Sequence, residues 1–155
     1  MQKNNLIAHN KKANFNYNIQ ETFEAGIVLK GQEVKAIRTF GMNIEESYII
    51  IKNLEAFLIN SNIKQMQTTS FNSYEAKRVR KLLLNKKQIL NLFAKSKLSG
   101  QTIIPISVYF NERSGFVKLN IGLASGKKIY DKRKSIAQKE WNRQKIRLNH
   151  EKNKV

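Results

Sequence analysis

Short runs rich in Ile, Val, Leu and Phe recur along this chain between polar or glycine-bearing stretches, a spacing that suits short strands with few helices. Residues 23–30, 44–51 and 54–60 read as strands, and Lys52 with Asn53 predicts a tight hairpin turn between the last two. Residues 102–109 and 116–121 read as two more, joined by the turn-like Asn111, Glu112, Arg113, Ser114 and Gly115. Pro105 cannot donate to a ladder, so its strand is expected at an edge or a bulge.

The helical period is clearest after Asn85. That residue is a cap candidate, Ile89, Leu92, Phe93 and Leu98 share a face, and Ser99 with Gly100 closes the segment. Between Gly31 and Gly41, Val34 and Ile37 stand at i, i+3, which suits a short helix, although a strand fits there too. Residues 61–80 show neither period and predict a long loop. Five or six short strands with a few helices, on a chain this basic, predict a mainly β architecture: an antiparallel barrel of the oligonucleotide-binding kind over residues 1–125.

Charge changes the picture most at the C-terminal end. The chain carries 29 Lys and Arg against 11 Asp and Glu in 155 residues, a net +18. Residues 126–155 hold 11 of those cations and three acids, Asp131, Glu140 and Glu151. The apolar positions there are few, so this tail cannot build a core, but Ala137, Trp141 and Leu148 fall near one helical face. It therefore reads as a tail that becomes a basic helix when a partner supplies a surface. An excess of this size is neutralised by a polyanion, and nucleic acid or an anionic membrane surface is the expected partner class.

The same inventory argues against several other classes. Cysteine is absent, which excludes disulfides and thiol chemistry and suits a reducing compartment. The longest nearly apolar run, residues 103–110, falls far below the roughly 18 to 20 residues of a membrane span, and the polar start MQKNN does not resemble a signal peptide, so a soluble, cytoplasmic protein is expected. Asp131 is the single aspartate, His9 and His150 lie near opposite ends, and the adjacent Glu45 and Glu46 would point to opposite faces of a strand. Neither a metal site nor a catalytic triad assembles readily from so few groups, and the glycine-loop phosphate motifs are missing, so no enzyme, no metal and no cofactor are expected.

Three clusters carry the chemistry of RNA contact. Asn10, Lys11 and Lys12, followed by Phe15 and Tyr17, open the expected ordered region and combine amide, ammonium and aromatic groups, although Tyr17 suits a core position equally well. Lys77, Arg78, Arg80 and Lys81 form the second, before Leu82, Leu83 and Leu84, where a solvated face is the plainer reading. The third interleaves Gly126, Lys127, Lys128, Tyr130, Asp131, Lys132 and Arg133, a pattern for a phosphate-lined groove with one stacked base or, as cheaply, for a linker into the tail.

Five motifs then stand in order: NKKA (10–13), ETFEAGIVLKGQEVKAIR (21–38), NIEESY (43–48), RKLLLNKKQI (80–89) and IGLASGKKIYDKR (121–133). Together they resemble the SsrA-binding protein (small protein B) family, collinearly from about Asn10 to Trp141. The resemblance implies a non-enzymatic partner of transfer-messenger RNA (tmRNA) in trans-translation, which rescues stalled ribosomes. It implies an oligonucleotide-binding barrel that holds the tRNA-like domain of that RNA, with elongation factor Tu an indirect partner on the aminoacylated RNA. It also implies a tail that is disordered in solution and helical on the ribosome, in the small-subunit decoding centre and the empty message channel.

By motif, the resemblance assigns RNA binding to Asn10, Lys11, Tyr17, Glu24, Leu83, Asn85 and Lys118, with Lys127 and Lys128 connecting barrel to tail. Tyr130, Asp131, Lys132, Arg133 and Trp141 match the tail positions implied in the decoding centre and channel. An acid on an RNA face is chemically reasonable, because a carboxylate accepts from base or ribose donors and can orient a cation; an ordinary salt bridge is the simpler role for Glu24. The chain departs from the family pattern at Asn14, Phe15, Asn120 and Ser125, mostly where basic residues are usual. A structural ribosomal protein or general single-strand binder is the alternative reading, and membrane attachment through the tail ranks last because its apolar face is narrow.

Overall fold

The structure is a computed structural model that describes residues 5–66, 74–98 and 100–152. In chain order it contains β1 (Asn5–His9), α1 (Lys11–Asn16), β2 (Tyr17–Ile27), α2 (Gly31–Phe40), β3 (Tyr48–Lys52) and β4 (Glu55–Ile59). β5 (Arg80–Leu83), α3 (Lys86–Ser96), β6 (Gln101–Phe110), β7 (Val117–Gly126) and α4 (Ile129–Lys152) follow. The strands hydrogen-bond in the order β1-β6-β3-β4-β5-β2-β7, and β7 pairs back onto β6, so six antiparallel strands close a ring. β1 lies outside the ring on the C-terminal half of one β6 edge, while β3 takes the N-terminal half of that edge at Ile49 opposite Ile103. Closure removes most exposed strand edges, which is how a sheet this small avoids edge-to-edge association.

The ring is filled by inward residues at the two-residue strand period. Val117, Leu119, Ile121 and Leu123 point in from β7, Ala56 and Leu58 from β4, and Leu82 from β5. Ile37 and Ala36 of α2 and Leu92 of α3 cover the ends of this core. A smaller cluster of Ala13, Ile104 and Ala124, flanked by Tyr17 and Ile19, seats α1 on the outside of the sheet.

The predicted hairpin forms with its turn one residue later, at Asn53 and Leu54, both at positive φ, with Lys52 opposite Glu55. Pro105 lies at a bulge of β6, the second of its two expected positions; its carbonyl accepts from the Asn10 amide at 3.1 Å. Between the glycines the helical alternative forms, but its buried face is Glu33, Ala36 and Ile37 rather than Val34 with Ile37. Gly41, at φ 75°, ends it with an N–H bonded to the Ile37 carbonyl at 2.8 Å.

Other boundaries move. β2 begins at Tyr17, not residue 23; its outward positions are Asn18, Gln20, Thr22 and Glu24, and the weak strand propensity of Asn18 and Glu24 obscures the alternation. β3 begins at Tyr48, not residue 44; Ile44 is a core residue in a turn, where it accepts from the Ser47 hydroxyl at 2.6 Å. β7 runs on to Gly126, past residue 121. α3 ends at Ser96, so Leu98 is exposed instead of sharing its buried face, and Ser99 lies outside the described residues.

β1 precedes Asn10, so order begins earlier than the sequence implies. The described parts of the expected loop, residues 61–66 and 74–79, are irregular apart from an Asn43–Asn62 bridge, and residues 67–73 lie outside the described set. No helix among the described residues is long and apolar enough to cross a membrane.

Candidate nucleic-acid interface

Strand register brings distant residues together. Leu83 of β5 lies opposite Gly26 of β2, Gly26 opposite Lys118 of β7, Lys118 opposite Tyr109 of β6, and Tyr109 opposite Leu6 of β1. A second row, two residues away, runs Glu24, Asn120, Ser107, His9 across four of the same strands. Residues directly opposite in antiparallel pairs share a face, and a two-residue step keeps that face. The core residues Leu119, Val108 and Ala25 alternate with these rows, so both rows lie on the outside of the barrel.

Glu24, Leu83 and Lys118 therefore form one surface, although they are far apart in sequence. Gly26 permits the close approach between the rows: a Cβ there would lie 3.2 Å from the Leu83 Cβ, and Leu83 is exposed beside it. Asn85 follows Leu83 at the start of α3, where its N–H donates to Gln88 Oε1 at 3.1 Å. Asn10 borders the second row, since its N–H bonds the Ile106 carbonyl at 2.8 Å just beyond the His9–Ser107 pair. Lys11 is exposed one residue on.

Electrostatics at the centre of this surface involve Glu24, Tyr109 and Lys118. The Tyr109 hydroxyl donates to Glu24 Oε2, and Lys118 Nζ lies 3.7 Å from Glu24 Oε1. Glu24 is half exposed rather than buried, with an ion pair of the ordinary kind already made. Burial, and then the hydrogen bond to and charge of Glu24, push the Tyr109 phenol up to about 12. Tyr109 carries no motif signal that would have singled it out; it reads as an ordinary strand aromatic until the register is known.

Asn10 and Tyr17 are less available than the sequence suggests. Asn10 is buried with its amide nitrogen on Pro105, and its Oδ1 is without a partner among the described residues. Tyr17 is half-buried against the cluster beneath α1, the core alternative. Asn120, one of the departures, is held by a bond from its amide to Ser107 Oγ at 3.1 Å. Lys127 Nζ donates to the Asn14 carbonyl at 2.7 Å and its N–H to Asn16, tying the end of the barrel to α1, whereas Lys128 is exposed.

The second cation cluster is not a phosphate surface. Arg80 is fully buried and donates to Glu33 Oε1, Ser61 and the Ala76 carbonyl; Arg78 bonds Glu33 Oε2 at 2.7 Å; Lys81 pairs with Glu55. The two guanidiniums stitch α2 to β5 and to the segment before it, and with Lys81 on Glu55 three of the cluster's four cations are paired internally. Lys77 remains exposed.

Tail residues are separate from the barrel face. Tyr130, Asp131 and Arg133 are exposed in the first turn of α4, and Trp141 is 64% exposed farther along. Tyr130, Ala137, Trp141 and Leu148, at i, i+7, i+11 and i+18, share one helical stripe, which adds Tyr130 to the face expected from the sequence. Asp131 lies at the N-terminal end, where a carboxylate complements the helix dipole. The opposite side leans on α1, with Lys139 Nζ 5.4 Å from the Phe15 ring centre.

Comparison with known proteins bears on this arrangement. The profile of the family described as SmpB protein matches residues 7–151. An SsrA-binding protein of Thermosipho africanus is 52% identical over 138 residues, covering 89% of this chain and 92% of that protein. SsrA-binding proteins of Wolbachia pipientis wMel and Agrobacterium fabrum are 47% and 49% identical over 92% and 94% of this chain, and 95% and 90% of their own lengths. Among solved structures, a chain from "tmRNA-SmpB: a journey to the center of the bacterial ribosome" is similar with a TM-score of 0.65 and 39% identity, over 79% of this chain and 85% of that one.

Proposed function

The chain belongs to the SmpB protein family, and on that premise we propose that it binds the tRNA-like domain of tmRNA through the outer face of the barrel and delivers that RNA to stalled ribosomes. The observation that carries this reading is the register itself, which assembles Glu24, Leu83 and Lys118 into one surface bordered by Asn10, Lys11 and Asn85. Lys118, Lys11 and Lys128 supply phosphate contacts, Leu83 an apolar contact to a base or sugar, and Glu24 and Asn85 hydrogen bonds to base or ribose. The protein acts as a binding partner rather than an enzyme, in the cytoplasm, and meets elongation factor Tu indirectly on the aminoacylated RNA. Residues 126–155 form a second functional unit: Tyr130, Asp131, Lys132 and Arg133 engage the decoding centre, and Trp141 with the rest of α4 follows the empty message channel, helical there and disordered when free.

Two variants separate the barrel from the tail. Glu24→Ala weakens binding to the tRNA-like domain by about tenfold, the effect of losing one charge-assisted hydrogen bond, while tail-dependent tagging persists at saturating protein. Alanine at Asp131, Lys132 and Arg133 together leaves RNA affinity within about twofold and abolishes tagging of stalled chains in a reconstituted translation assay. Equal loss of binding and tagging in the triple variant rules out this division of labour. Equal affinity of the wild type for an unrelated structured RNA reduces the protein to a general RNA binder.

A further inference from the structure

We propose that Tyr109 is a positioning residue for RNA recognition: its phenol holds the Glu24 carboxylate in the orientation that presents free oxygen lone pairs to donor groups of a nucleobase or ribose, and keeps the loose ion pair with Lys118 from closing to hydrogen-bond contact. This inference rests on the RNA-binding reading of the barrel face. Tyr109 is 6% exposed although its row lies outside the barrel, so its ring is packed into the surface and not free to swing. Glu24 is on β2 and Tyr109 on β6, with β7 between them, so the hydroxyl reaches diagonally across β7 to Glu24 Oε2. Lys118, on β7, faces the other oxygen at 3.7 Å, too long for a hydrogen bond.

The geometry divides the carboxylate's tasks. A glutamate on an exposed strand position has three side-chain torsions to lose on binding, and the nearest cation would draw it into a closed pair that serves neither partner. With Oε2 anchored by a rigid, buried donor, the remaining lone pairs face outward and Lys118 keeps its ammonium for a phosphate. A carboxylate accepts up to about four hydrogen bonds, so one from tyrosine leaves capacity for a base edge carrying two donors or for a 2′-hydroxyl. Binding then finds the group already ordered, and the ordering cost is met in folding. The phenol, pushed up to about 12 by burial and by Glu24, remains a donor throughout the neutral range.

The test is a double-mutant cycle in the full-length protein, with Kd measured for the tRNA-like domain and for an unrelated structured RNA. Tyr109→Phe keeps the ring and removes one hydroxyl; the Glu24 side chain is half exposed, so its freed oxygen can take water and the fold is retained, which near-UV circular dichroism and the thermal midpoint check. In the wild-type background Tyr109→Phe weakens binding about three- to tenfold; in the Glu24→Ala background it changes Kd by less than about 1.5-fold. The loss in the first background is constant from pH 6 to 9, because the donor does not titrate there. An unchanged Kd for Tyr109→Phe overturns the proposal, as does the same loss in both backgrounds, which would mark a purely structural tyrosine. Failure of the functional reading has a different signature: the wild type binds both RNAs equally, while the Tyr109–Glu24 coupling is still measured on either.

Discussion

Arg80 shows how a single residue's burial reverses its meaning. In the sequence it belongs to a run of cations before a leucine stretch; in the structure it and Glu33 are both fully buried and paired at 2.9 Å, with Arg78 on the second carboxylate oxygen. Burial pushes the Glu33 carboxyl up, but the Arg78 hydrogen bond, the Lys30 N–H and the charges of Arg80 and Arg78 outweigh it, so the group lies below the usual carboxylate value of 4.5. A lowered folded pKa makes this contribution complete above pH 4.5 and lost as pH falls through and below that value. Glu33→Ala strands two guanidiniums, one without access to water, and is expected to cost about 3–5 kcal/mol in urea unfolding at pH 7. The gap between variant and wild type narrows as pH falls below 4.5 and through the lowered carboxyl value, where the wild-type group protonates; a gap that is constant with pH would contradict this account. Glu24, by contrast, was singled out as a candidate by its motif, while its partner Tyr109 was not, because nothing local distinguishes one strand tyrosine from another.

At the scale of elements, strong local signals survived. The 53–54 turn formed because two residues at positive φ match the twist of the flanking strands, and α3 followed Asn85 because its apolar positions recur at the helical period. β5 was missed: four residues, RKLL, have neither length nor alternation to announce a strand, and pairing with β4 and β2 creates it. α4 raises a different question, since all its large apolar side chains, Trp141 and Leu148 among them, are exposed. A helix without a buried face depends on intrinsic propensity alone, whereas most helical stability in proteins comes from packing an apolar face. Far-UV circular dichroism of the free full-length chain is therefore expected to show little helix from residues 127–155, and deletion of those residues to leave the helical signal nearly unchanged and the barrel transition within a few degrees. A single cooperative transition that includes α4 would instead require the tail to be docked on the barrel.

For the whole molecule, charge and closure act together. Six glutamates, at positions 21, 24, 33, 45, 46 and 55, sit in ion pairs with neighbouring cations. The barrel's acids are thus largely matched within the fold, and the excess of the net +18 is left for a partner. Each phosphate neutralised adds roughly 0.7 to 0.9 to the slope of log affinity against log salt. Lys118→Ala is accordingly expected to lower that slope by about one unit, whereas Tyr109→Phe weakens binding with the slope unchanged. Identical slopes for Lys118→Ala and wild type would remove Lys118 from the phosphate contacts.

The sequence alone determined the class of fold, the division into barrel and basic tail as an expectation, and the family, because strand period, charge density and ordered motifs are local or cumulative properties that need no coordinates. Tertiary structure decided which cations face solvent, since Arg80 and Lys11 carry the same charge in similar basic runs but differ in burial. It also decided which strands are neighbours. The row Leu83, Gly26, Lys118, Tyr109 joins four strands through registers set by core packing and bulges, and such long-range pairing leaves no mark in any one strand's own residues.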